Sequence, residues 1–132
     1  MTDKTLFIAL CSGEHEKIHF AAMMASVAAV SNRKVQLFVS MNAIFAFGRD
    51  TAPEQRYQGG AFAKLMLEKN APDTMTLFGQ GKMLGDMEAY ACSMALDLLG
   101  WTTDSLIEDF FDGELGLTKF LSDAEEGELI VI

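Results

Sequence analysis

Two cysteines, Cys11 and Cys92, are the only thiols in a chain of 132 residues, and each closes a short apolar run. Thr5 to Cys11 reads TLFIALC and Met87 to Cys92 reads MEAYAC. Runs of that length and character are strands, so each thiol should stand at the carboxyl end of one. In an open parallel α/β sheet, ligands bind beyond those ends, where turns present backbone N–H groups. Cys92 is followed at once by Ser93 to Leu99 (SMALDLL), a short helical stretch closed by Gly100. A sulfur at a helix N-terminus lies near N–H groups that favour the thiolate, which makes Cys92 the candidate nucleophile. The competing reading is a small buried apolar side chain. Cys11 sits in the more apolar run and is expected to line the core or a pocket. In a reducing compartment the pair reads as free thiols before it reads as a structural disulfide.

The same edge of the sheet supplies the remaining candidates for substrate contact. They are Cys11, Ser12 and Gly13 after the first strand, Ser40 and Asn42 after the second, and Ser93 beside the thiol. The turn Cys11-Ser12-Gly13-Glu14 has the layout of a phosphate cradle but lacks both G-x-G-x-x-G and the P-loop lysine, and Glu14 would repel an anion. No nucleotide cofactor is expected, nor any other.

His15-Glu16-Lys17-Ile18-His19 is formally H-E-x-x-H, the spacing that sets two imidazoles on one helix face around zinc with a glutamate as base. Here the pattern opens its helix, and nothing downstream singles out a third ligand. The two histidines are expected as partly exposed residues of the first helical turns, without a metal; a metal-binding protein acting through His15 and His19 is the alternative. The nine methionines read as adaptable packing before they read as a soft-metal site.

These residues need elements to hold them. After the first strand, His15 to Ser31 runs without a breaker and is a helix apolar nearly all round, so it should be buried on more than one side and can meet another subunit. Val35 to Ser40 (VQLFVS) is the second strand. Met41 to Gly48 is a short helix or pocket-lining loop, leading through Pro53 and Gln58-Gly59-Gly60 to a helix over Ala61 to Asn70 that ends before Pro72. Asp73 to Gly85 is ambiguous: Asp73 is a plausible N-cap, whereas Gly79, Gly81 and Gly85 weaken a helix. Met87 to Cys92 is the third strand. Leu106 to Phe111 is a candidate fourth strand, and Gly113 to Glu126 an amphipathic helix with Leu117, Phe120, Leu121 and Ala124 inward. Glu128 to Ile132 (ELIVI) is a terminal strand. Strands separated by helices imply right-handed crossovers and a parallel sheet with helices on both faces, in one α/β domain over residues 1–132.

Composition narrows the partners. The formal net charge is −9, from 19 acids against 10 bases. That field repels phosphate backbones and anionic lipid, so neither nucleic acid nor a membrane is an expected partner. Over the last quarter of the chain Lys119 is the single base among the acids, a solvated face first and a surface for a basic partner second. The start lacks the basic and apolar regions of a signal peptide, and Ile18 to Val30 is too short and alanine-rich to span a bilayer. A cytoplasmic location is expected.

With these residues in place, the chain resembles the DsrE/DsrF-like (DsrEFH-like) sulfur-relay family, in the branch with an Ala-Cys-x-Met-Ser-Met-Asp signature. The match reads Ala91-Cys92-Ser93-Met94-Ala95-Leu96-Asp97 here, beside the Ser12-Gly13-Glu14 turn and the Leu37 to Ser40 segment. The resemblance implies a three-layer α/β/α sandwich of flavodoxin-like layout with a five-stranded parallel sheet, and assembly as a homo-oligomer. It also implies a cysteine that carries sulfane sulfur as a persulfide or thiosulfonate, and TusA-like or rhodanese-like partners. Ala95 and Leu96 depart from the Ser and Met of that branch. A non-enzymatic oligomeric binding module of the same fold is the alternative.

Overall fold

A computed structural model describes residues 4–52 and 55–132. Met1 to Asp3 and the link residue Pro53, with Glu54, lie outside the described residues. Five strands form one parallel sheet: β1 (Leu6–Leu10), β2 (Val35–Val39), β3 (Met87–Cys92), β4 (Gly113–Leu115) and β5 (Glu128–Val131). Their order is β4-β3-β2-β1-β5, which confirms the α/β class and puts the two cysteine strands on either side of β2. The helices are α1 (His15–Val30), α2 (Ala61–Glu68), α3 (Thr74–Leu84), α4 (Ser93–Leu99) and α5 (Leu117–Ala124), with a 3₁₀ helix at Met41–Phe47.

Alternation along each strand splits the side chains between two layers. Leu6, Ile8 and Leu10 of β1, with Val35, Leu37 and Val39 of β2, enter the larger cluster, which Ile18 and the alanines of α1 cover together with Phe47 and Phe78. Phe7, Ala9, Phe38 and Cys92 enter the smaller cluster on the other face, where Ala95 of α4 and Phe120 and Ala124 of α5 meet them. Phe120 is its centre, stacked on Phe38 at 4.6 Å and edge-on to Phe7 at 5.9 Å.

The ambiguous segment Asp73 to Gly85 is helical. Asp73 caps it by accepting from the Thr76 N–H at 3.1 Å. Two of its three glycines are packing residues: a Cβ on Gly81 would stand 3.1 Å from Ser26 Cα, and one on Gly85 would overlap Ala29, whereas one on Gly79 would meet open space. Small residues on both partners let α1 and α3 approach closely enough to seal the larger cluster.

Two expectations need correction. The fourth strand is Gly113–Leu115, inside the segment expected to be helical, and not Leu106 to Phe111. The latter is a loop pinned by a bridge from Leu106 to Gly48, with Asp109 at φ 58° and Phe110 buried against Phe47 and Phe78. Its apolar residues serve the core as loop anchors. The last helix is therefore shorter than expected, and of the four residues expected inward only Phe120 and Ala124 are buried, whereas Leu117 and Leu121 are exposed.

Candidate functional site

The register pairs Leu10 with Val39 and Val39 with Ala91. Carried one residue further, it sets Cys11, Ser40 and Cys92 abreast at the carboxyl ends of β1, β2 and β3, on the α4/α5 side of the sheet. The Ser40 N–H donates to the Leu10 carbonyl at 2.9 Å, and the Cys11 carbonyl accepts from Ala43 N–H at 3.2 Å, which ties the Cys11 end of the row to the 3₁₀ helix. Both cysteines are free. With β2 between them, the thiol-bearing Cα atoms are about two strand spacings apart, roughly 10 Å. That exceeds what a disulfide bridges without backbone movement.

Cys92 is buried, 4% exposed, among Phe38, Phe120 and Ala95. It is the N-cap residue of α4, yet its side chain makes no capping hydrogen bond, so the expected cradle of helix N–H groups around the sulfur is not formed. Cys11 is half-buried. Burial pushes its thiol pKa up, and the neighbouring Cys92 pushes it further.

The other expected contact residues divide. Ser12 accepts from the Glu14 N–H at 3.1 Å and so shapes the turn. Gly13 packs on Asn42, where a Cβ would stand 3.0 Å from the Asn42 Cβ, and both line a neighbouring cleft of about 690 Å³ with Trp101. Ser93 Oγ lies beside Gly116, where an added Cβ would stand 3.9 Å from it. The row thus unites Cys11, Ser40 and Cys92, while Gly13 and Asn42 belong to the adjoining cleft and Ser12 and Ser93 flank it.

The largest concavity lies on the opposite face of the same edge. It encloses about 910 Å³ between the first turns of α1, the helix α2 and the N-terminus of α3. Thr74, 1% exposed, is its polar centre. His19 Nδ1 lies 2.8 Å and His15 Nε2 3.1 Å from the Thr74 hydroxyl, and Tyr57 stacks on His15 at 4.0 Å. Burial lowers the pKa of both imidazoles, helped at His15 by the neighbouring His19, against weaker opposition from Asp73 and, at His15, Glu16. His15 is partly exposed, as expected, whereas His19 is buried, a deeper placement than expected. The Glu16 carboxylate instead accepts from the Gly60 N–H at 3.0 Å and the Ala63 N–H at 3.0 Å, capping α2, and these backbone donors hold it below the usual carboxylate range. The glutamate of H-E-x-x-H is therefore committed to the fold and not poised as a base. Among the described residues there is no group of three or more metal-ligating side chains.

No protein-family model and no curated protein matches the chain. Among solved structures it is similar to a protein of unknown function, MTH1491, from Methanobacterium thermoautotrophicum. The two share 14% identity with a TM-score of 0.64, over 98% of this chain and 100% of that one. At that identity the likeness speaks for the fold alone. It agrees with an α/β architecture spanning the whole chain.

Sequence reasoning missed Tyr57 and Thr74 altogether. The H-E-x-x-H spacing marked the right face of α1, but nothing local ties a tyrosine in an irregular link and a threonine at a later helix start to that face. No helix among the described residues is long and apolar enough to cross a membrane.

Proposed function

We propose that this chain is a sulfur-relay protein of the DsrE/DsrF-like kind, in which Cys92 accepts sulfane sulfur and passes it on. The observation that carries the reading is the row of Cys11, Ser40 and Cys92 at the carboxyl edge of β1, β2 and β3. The Cys92 thiolate attacks the outer sulfur of a donor persulfide, R–S–SH. The donor S–S bond breaks, a bond forms between Cys92 Sγ and the outer sulfur to give Cys92–S–SH, and the donor leaves as the thiolate R–S⁻. Attack by an acceptor thiolate on the outer sulfur then regenerates Cys92. No net oxidation occurs. The half-buried Cys11 marks the side from which a donor reaches the buried sulfur, and the separation of the two thiols keeps the persulfide from being discharged at once as an internal disulfide.

Homo-oligomerisation is part of the proposal. Phe20, Met23, Val27 and Val30, all exposed, recur at helical spacing along the outer side of α1 and suit a second copy of the chain. TusA-like or rhodanese-like carriers are the proposed exchange partners, in a cytoplasmic setting that keeps both thiols reduced.

Intact-mass measurement after incubation with a persulfide donor tests this. A +32 Da adduct, about the mass of one sulfur atom, is expected on the native chain and absent in Cys92→Ser; an adduct that survives the substitution, or none at all, sinks the reading. The burial of Cys92 favours a second reading, an oligomeric binding module with an inert thiol. Thiol titration separates them: in the second case Cys92 labels no faster than a model thiol at neutral pH.

A further inference from the structure

The cleft around Thr74 lies across the sheet from the thiols, and its chemistry stands without them. Its walls are mainly apolar, with Ala63, Met66 and Leu67 of α2 facing Pro72, Met75 and Ile107. Its volume falls in the range of small-molecule sites, which run from about 300 to about 1,000 Å³. An apolar concavity with a few convergent polar groups takes a ligand that is itself mostly apolar with one polar end.

The charges decide the sign of that end. Asp73 and Glu16 are the acids nearest the cleft; both carboxylates accept from backbone N–H groups, at Thr76 and at Gly60 and Ala63, and keep their charge, so an acidic ligand end must sit away from them, toward the cations. Arg56 and Lys64 line the cleft, and among the described residues neither forms an ion pair with a carboxylate. Arg56 is held in place by donating from Nη1 to the carbonyls of Ala46 at 2.6 Å and Gly48 at 3.0 Å. In a chain with a net charge of −9, a cleft bordered by two cations without carboxylate partners runs against the overall field.

The imidazoles add directional donors. The Thr74 hydroxyl carries one proton, so at most one of His15 Nε2 and His19 Nδ1 accepts it, and a ring that does so carries its N–H on the opposite nitrogen. The imidazoles thus bring N–H donors to the wall of the cleft.

We propose that this cleft binds an organic acid with an aliphatic or aromatic body, its carboxylate held by Arg56, Lys64 and one imidazole N–H and its body laid against Met66, Leu67 and Pro72.

The test is calorimetric titration of the full chain with sodium octanoate and with octylammonium chloride, repeated on Lys64→Glu, Leu67→Asp and Cys92→Ser. Lys64 and Leu67 are exposed on α2, Leu67 by 71%, so both substitutions leave the core intact. One-to-one binding of octanoate is expected, weakened about tenfold or more by each α2 substitution and unchanged by Cys92→Ser. No saturable binding at millimolar octanoate overturns the proposal. So does equal or tighter binding of octylammonium, or octanoate binding that neither α2 substitution weakens. Because Cys92→Ser is the variant that abolishes the sulfur adduct, failure of the relay reading and failure of this one are read separately.

Discussion

The two faces of the sheet are built to different standards. On the α1/α3 face, Phe47, Phe78 and Phe110 pack at 5.6 to 5.7 Å behind a close helix pair, and the large side chains there are sealed from water. On the α4/α5 face two short helices of 7 and 8 residues cover the strands, and Phe120 is the one aromatic ring they bury there. That thinner layer also contains Gln36, 6% exposed, whose Nε2 is buried without a hydrogen-bond partner. It leaves Leu98, Leu117, Leu121 and Val131 open to solvent. The difference teaches where the fold gets its stability: the first face carries the larger core, and the second covers Cys92 with the smaller one.

The largest expected effect tests the sealed face. Phe47→Ala should cost about 3–5 kcal/mol, measured by urea unfolding. A loss under about 1 kcal/mol would mean that the face is not closed. Phe120→Ala removes the same ring from the thin face and should cost about 3 kcal/mol, the low end for such a deletion, because the smaller layer can settle. Its distinguishing effect is on chemistry: alkylation of Cys92 under native conditions should accelerate in Phe120→Ala and stay unchanged in Phe47→Ala. Equal acceleration in both would erase the contrast between the faces.

Thr74→Val leaves the two ring nitrogens that shared its hydroxyl without a protein partner and should cost about 1–3 kcal/mol. The same imidazoles predict a pH dependence. Burial lowers both pKa values in the folded chain, so on acidification the unfolded chain binds protons first and stability falls, chiefly from about pH 7 to about pH 5. The loss levels off once the pH lies below the depressed native values, and it is absent above neutrality. Denaturant midpoints across that interval should flatten in the double substitution His15→Gln, His19→Gln; an unchanged slope would assign the effect to other groups. The smallest effect belongs to Gln36→Leu, which removes an unpartnered buried amide from the thin face and should be neutral or stabilising by up to about 1 kcal/mol. A clear destabilisation would show that the amide is satisfied.

How far this architecture could be read in advance depended on where its signals lie. β1, β2, β3 and α1 announce themselves because central strands and a buried helix are written as unbroken apolar runs. β4 was hidden by brevity: three residues at a sheet edge, opening with Gly113 at φ 157°, produce no alternation to detect. α3 was obscured by Gly81 and Gly85, which lower helix propensity for a tertiary reason, the close crossing with α1, that no local pattern reveals. At the site, the placement of both cysteines at strand ends was legible, since it needs only strand boundaries. Whether the sulfur would meet helix N–H groups or aromatic rings was not, because that depends on how α5 lies across β2 and β3. The histidine spacing was equally visible, and its partners were not, since Tyr57 and Thr74 reach it only through the tertiary fold.

Gly81 and Gly85 have a consequence beyond packing. They sit toward one end of α3, and Thr74 begins the other, so a helix of 11 residues joins the crossing to the cleft. At 1.5 Å per residue that is a rigid lever of about 16 Å. Enlarging either glycine would press the near end of α3 off α1, and a stiff helix carries that displacement into the placement of Thr74 relative to His15 and His19. The depth of the cleft is thus tunable from a distance, by substitutions that touch none of its walls.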